Sequence, residues 1–222
     1  MFEIIENGNV TSPKSFIAGG ANVGIKTDIE ELDFGILWSE SSETTCAGVF
    51  TNNSIVSHSV TASKINLTKK NIRGVVANSG CANCSVGDQG LIDANDVIKL
   101  SADFLNSDSD KLAICSTGII GEELPMALIK KNISKLELSS DGGNHFAKSI
   151  LTTDTKTKEI AVSLNIDGQQ ITVGGCAKGV GMIEPNMATM LAFITTDASI
   201  DIDIQNKLLK DAVNKTFNQI SV

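Results

Sequence analysis

IAVSLNIDGQQITV occupies residues 160–173. Ile160, Val162 and Leu164 alternate with smaller or polar residues, Asp167-Gly168 supplies a two-residue turn, and Ile171 and Val173 resume the alternation. A period of two puts one set of side chains on one face of a strand, and Asp-Gly between two such runs closes a hairpin. Downstream, residues 190–194 are almost wholly apolar, which predicts a strand covered on both faces. Residues 203–217 then carry Leu208, Leu209, Ala212, Val213 and Phe217 on one stripe of a helix. Upstream, short β-rich runs at 34–38, 48–51, 74–77 and 112–115 end in polar or glycine-rich punctuation and read as buried strands. Between them, Ala94, Val97, Ile98 and Leu105, with small Ser101, recur at three- and four-residue spacing and predict a helix over 91–105. A second helix is predicted over 145–151. Strands alternating with helices make the fold class mixed α/β, of the α+β kind.

Composition narrows the function classes. The chain has 222 residues, 41% hydrophobic and 20% charged, which is the mix of a folded globular protein. At this length one large domain or two small ones fit, and roughly 70% of the unfolded surface can be buried. Eighteen Lys and Arg against 26 Asp and Glu give a net charge of −8, the wrong sign for a nucleic-acid footprint. No apolar run approaches the roughly 20 residues of a membrane span, and the first ten residues lack the basic and apolar regions of a signal peptide. The expected address is the cytosol. Five cysteines, an odd number in a chain too large to need a disulfide framework, are expected as reduced thiols.

Local motifs for chemistry are weak when taken alone. Cys81-Ala82-Asn83-Cys84 has the spacing of a zinc pair or redox dithiol, but no second ligand pair stands at matching spacing, so it reads as a loop with two incidental thiols and no metal. The glycines of residues 174–181 complete neither a P-loop nor a GxGxxG pattern; they read as a turn or as a close approach to the main chain. His58 and His145 have no partner at a recognisable offset, so a Ser-His-Asp or Cys-His arrangement is not available locally. A nucleophile here would need another base, for instance its own α-amine after chain cleavage.

Residues 178–198, KGVGMIEPNMATMLAFITTDA, supply a threonine for that role. This run closely resembles the self-cleavage and nucleophile segment of the ornithine acetyltransferase family, the bifunctional glutamate N-acetyltransferases of arginine biosynthesis. The resemblance extends in order along the chain, through residues 10–16, 47–53, 78–80, 87–90, 116–121 and 150–155. It implies a stacked-sheet sandwich flanked by helices, of the self-processing N-terminal-threonine type. It implies cleavage at Ala188-Thr189, giving an α-chain region over residues 1–188 and the start of a β-chain over 189–222. Thr189 would then carry the acetyl group from N2-acetylornithine to L-glutamate as an ester. Thr117 and Gly118 match the family's oxyanion pair, and Thr152 and Lys178 match its substrate contacts, with Thr153 the alternative to Thr152. No cofactor is implied, acetyl-CoA entering only as a second acetyl donor, and paired α and β chains would form a heterotetramer.

Without the resemblance, Thr189 is an ordinary β-branched strand residue, Lys178 a solvated charge, and 116–118 a strand-exit turn. The sequence also departs from the family: Cys81 stands where asparagine is usual and Val180 where serine or alanine is usual. Residues 219–222 begin a further β-like run and stop, so the chain is expected to lack the rest of the β-chain. Two other readings follow: a catalytically inactive fragment or assembly subunit of that enzyme, and a related self-processing N-terminal-nucleophile amidase or aminopeptidase.

Overall fold

The computed structural model describes residues 2–222. Among them, the strands form two four-stranded sheets. The first is ordered β1 (Phe2–Ile5), β6 (Lys158–Ile166), β7 (Gln169–Lys178), β8 (Leu191–Thr196), and every pair is antiparallel. The second is ordered β2 (Phe16–Ala21), β3 (Phe34–Ser39), β4 (Gly74–Cys81), β5 (Leu112–Ile119). Its last pair is parallel, and the crossover that a parallel pair requires is made by α2 (Gln89–Phe104). The hairpin of residues 160–173 is the β6–β7 pair, turning at Asp167 and Gly168, both with positive φ.

Two clusters of buried side chains hold these layers. In the first, Phe34, Ile36, Val76 and Ile114 on one face of the second sheet meet Val97 and Ile98 of α2, and Ile129 of α3 (Met126–Asn132) belongs to the same cluster. The helix α1 (His58–Leu67) lies beside α2 on that face, and Ser63 reaches Ile114 by hydrogen bonds in both directions. In the second cluster, Leu37 and Ala77 on the opposite face meet Phe146 and Ile150 at α4 (Gly143–Ser149), and Cys176 of the first sheet. Phe193 packs edge-on against Phe146 with ring centroids 5.0 Å apart, so α4 is wedged between the stacked sheets. Each fully buried aliphatic or aromatic side chain contributes about 1.5–3 kcal/mol.

Two expectations are corrected. Residues 48–51 form no strand; Gly48 and Phe50 pack instead against Leu67 and Lys64 at the end of α1. Over 190–194 the strand exists, but Ile194 is 55% exposed, so it is covered on one face only. Ile4, Ile160 and Ile166 share this exposure on the outer side of the first sheet. The final helix, α5 (Ile202–Lys215), is capped by Asp201, which accepts from the Asp203 N–H at 2.9 Å. A short 3-10 turn and an extended tail follow it, and Val222 exchanges both backbone hydrogen bonds with Ile183.

Candidate active site

The carboxyl ends of the parallel strands β4 and β5 run out side by side, the usual position for a ligand crevice beside a parallel sheet. Thr117 and Gly118 sit there, paired with Ser79 and Gly80. Gly118 has φ +134, and a Cβ on it would lie 2.3 Å from the Gly80 carbonyl carbon, so only glycine fits. Beneath this end Ser116 donates to Asn78 Oδ1 at 2.6 Å and shares a hydrogen bond with Ser59, while Asn78 donates to the Cys81 carbonyl. A satisfied buried network of this kind fixes the backbone that carries Thr117 and Gly118.

Next to Gly80 lies the turn of residues 23–26. Asp33, fully buried, accepts backbone N–H bonds from Val23, Gly24, Ile25 and Lys26, which converge on its two oxygens at 2.7–3.1 Å. Lys26 extends from that turn, donating to the Leu32 carbonyl and pairing with Glu31 at 3.4 Å. It shares an open cleft of about 190 Å³ with Thr152, Asp154 and Lys148. A larger cleft, about 270 Å³ and bordered by Phe50, Lys64 and Asn206, contains none of the candidate residues.

Lys178 is the last residue of β7 and is 4% exposed. Its Nζ donates to Thr152 Oγ1 at 3.1 Å, which distinguishes Thr152 from the exposed Thr153. Burial pulls the Lys178 ammonium below the usual lysine range, Asp154 opposes that fall, and the charges of Lys158 and Lys26 add to it. One residue on, Gly179 has φ +140 and donates its N–H to Asp154 Oδ1 at 2.9 Å.

Gly179 lies beside Ile183 and the main chain of Thr189: a Cβ there would lie 2.6 Å from Ile183 Cδ1 and 3.7 Å from the Thr189 carbonyl oxygen. Thr189 is exposed at the end of a tight turn in which Ala188 N–H bonds the Glu184 carbonyl. Asn186, Met187 and Thr189 have φ of 64, 60 and 58°, all left-handed. For a β-branched threonine that region is a genuine outlier, and such residues store about 1–3 kcal/mol each. The C-terminal tail braces this turn: Asn218 Oδ1 accepts the Asn186 N–H at 2.8 Å, and Ser221 donates to Glu184.

The site residues therefore fall into two groups. Thr152, Lys178, Gly179 and Thr189 form a continuous set, whereas Thr117 and Gly118 reach it through Gly80 and Lys26. Among the described residues no hydrogen bond joins Thr117 or Gly118 to Thr189. Cys81 is buried and its thiol donates to the Glu122 carbonyl at 3.1 Å; burial raises it, the Asn83 N–H lowers it, and Glu122 and Asp93 raise it further. Cys84 turns instead to Ser85, and no three His, Cys, Asp or Glu side chains among the described residues converge as a metal site. Asp33 and Asp154 were not singled out in the sequence. The signal for Asp33 was an acid directly preceding an apolar strand; Asp154 lies within residues 150–155, which share the family resemblance, but carries no signature of its own.

The chain matches the ArgJ family over residues 17–222. This chain belongs to the ArgJ family. It is 45% identical to the arginine biosynthesis bifunctional protein ArgJ of Dehalococcoides mccartyi across 99% of this chain and 54% of that protein. It thus spans about half the length of the curated ArgJ relatives it matches. In structure it is similar to the arginine biosynthesis bifunctional protein ArgJ of Bacillus halodurans, with TM-score 0.79 and 34% identity, covering 86% of this chain and 98% of that one. The ornithine acetyltransferase of Mycobacterium tuberculosis, solved in complex with ornithine, gives TM-score 0.77 at 31% identity, covering 86% of this chain and 100% of that one. The two stacked sheets and their helices are therefore an ArgJ fold.

Proposed function

We propose that this chain carries the nucleophile-bearing part of an acetyltransferase that moves an acetyl group from N2-acetylornithine to L-glutamate through an ester on Thr189. The observation that carries this reading is the left-handed run at Asn186, Met187 and Thr189, which loads strain onto the turn containing the Ala188-Thr189 bond. Family membership and the ornithine-bound relative support the substrate class.

In the first stage Thr189 Oγ attacks the Ala188 carbonyl, the peptide becomes an ester, and the Thr189 nitrogen is released as an amine. Water then hydrolyses the ester, leaving a carboxylate on Ala188 and a free threonine N-terminus. That α-amine has an unperturbed pKa of about 7.7–8.0 and takes the Oγ proton, so no histidine is needed. In the second stage Oγ attacks the acetyl carbonyl of the donor, the ornithine amine departs with a proton, and the acetyl ester remains. The amine of glutamate then attacks that ester, and the proton it loses returns to Thr189 Oγ. Thr117 Oγ and the Gly118 N–H are assigned to the oxyanion, where one such donor is worth about 3–4 kcal/mol. Lys178, beside Thr152, offers its cation to a substrate carboxylate or carbonyl.

Acetyl-CoA as a second acetyl donor, an α and β chain heterotetramer and a cytoplasmic address belong to the same reading. No described helix is long and apolar enough to cross a membrane. Replacing Thr189→Ala is expected to abolish the acetyl ester that acid quenching traps on the Thr189 peptide, together with acetylation of glutamate. Turnover retained by that variant sinks the assignment.

A further inference from the structure

Two short contacts tie the loop after α4 to the end of β7. Lys178 Nζ donates to Thr152 Oγ1, and two residues further along the loop Asp154 Oδ1 accepts the N–H of Gly179, the residue after Lys178. The Asp154 side chain has no exposed surface, and its Oδ1 also accepts from Lys158. Its second oxygen is buried without a hydrogen-bond partner. A buried carboxylate with an unused oxygen is costly unless positive charge surrounds it. Charges of that sign do surround it, from Lys158 on β6 and Lys178 on β7.

The same arrangement looks different from the lysine. Lys178 is the buried cation, and the charged groups acting on it are Asp154 from the loop, Lys158 from β6 and Lys26 from the 23–26 turn. Two of these three are repulsive. Among the described residues no carboxylate lies within ion-pair distance of Lys178, and Asp154, held by the N–H of the adjacent Gly179, is the acid that the fold sets beside it, while Lys26 is itself engaged by Glu31.

We infer that Asp154 is a positioning residue of this site: its carboxylate keeps Lys178 a buried cation directed at Thr152 while its Oδ1 clamps Gly179 under Thr189. The inference rests on the acetyltransferase reading for its purpose, since a substrate carboxylate or carbonyl needs Lys178 charged. Its physical content does not depend on turnover. Burial pushes the Asp154 carboxyl up, but the Lys158 hydrogen bond, the Gly179 N–H and the charges of Lys158 and Lys178 together hold it below the usual carboxylate range. Asp154 is therefore ionised wherever Lys178 has work to do.

The test is the titration of Lys178 by NMR of lysine-labelled chain, with its resonance assigned by its disappearance in Lys178→Met. Asp154→Asn keeps an oxygen for Gly179 and removes only the charge, so the Lys178 midpoint is expected to move to lower pH than in the unaltered chain. Asp154→Glu restores the charge and is expected to move the midpoint back. A midpoint unchanged in folded Asp154→Asn overturns the inference. Should that variant fail to fold, the unaltered chain decides: the Lys178 resonance is expected to show a second inflection on the acid side as Asp154 protonates, and its absence overturns the inference equally. Neither readout requires acetyl transfer, so loss of the Thr189 assignment leaves this result standing, and the reverse also holds.

Discussion

The β2-β3-β4-β5 sheet is covered on both faces, by α1 and α2 on one side and α4 on the other. The β1-β6-β7-β8 sheet is covered only on the face toward α4. Phe34 and Ile36 of the covered sheet are fully buried, whereas Ile160 and Ile194 of the other are each more than half exposed. The chemistry is divided in the same way. Thr117 and Gly118 stand on strand ends locked by Asn78, Ser116 and Gly80, while Thr189 stands on a strained turn between β7 and β8 held by a few polar contacts. Under the proposed function, the rigid half would hold the oxyanion donors and the strained half would present the nucleophile to be cut free.

The largest effect that would break this comparison is a cavity. Ile36→Ala is expected to cost about 2–5 kcal/mol in urea unfolding. Ile194→Ala is expected to stay within about 0.5 kcal/mol, because more than half of that side chain is already in water. Equal costs at the two positions would mean that the outer face of the β1-β6-β7-β8 sheet is not open in solution.

A smaller effect sharpens the contrast within one strand. Gly174 and Gly175 are neighbours on opposite faces of β7. A Cβ on Gly174 would lie 2.1 Å from the Asn9 carbonyl oxygen, but one on Gly175 would meet nothing closer than 3.4 Å. Gly174→Ala is therefore expected to cost about 1–3 kcal/mol through forced backbone movement. Gly175→Ala is expected to be near neutral in the same thermal or urea melts, with a reduced unfolded-state entropy on its side.

These residues also show what the sequence could and could not disclose. The β6–β7 hairpin, α2 and α5 were legible because their side chains alternate or recur with a period that burial enforces, and β3, β4 and β5 because short β-rich runs there end in turn residues. The helix α1 was not, since its buried residues are Ser59, Ala62 and Ser63, and a core face built from small polar side chains carries no hydrophobic period. In β2 the pattern is interrupted by Gly19-Gly20, which reads as a break although it marks a close approach of other backbone. The exposure of Ile194 was misjudged because an apolar run reports what a strand can bury and not what lies over it. Thr189, Thr152 and Lys178 were singled out through family resemblance alone. The support that Asp33 and Asp154 give arises from contacts between turns that no spacing rule connects, and only the fold brings those turns together.

The intact mass of the purified chain tests the central claim most directly, because it reports on the Ala188-Thr189 bond without assuming a substrate. Two masses that divide the chain into residues 1–188 and 189–222 are expected, and a single undivided mass for Thr189→Ala. A single undivided mass for the unaltered chain, stable on prolonged incubation, would contradict the claim that the strained turn presents Thr189 for self-cleavage.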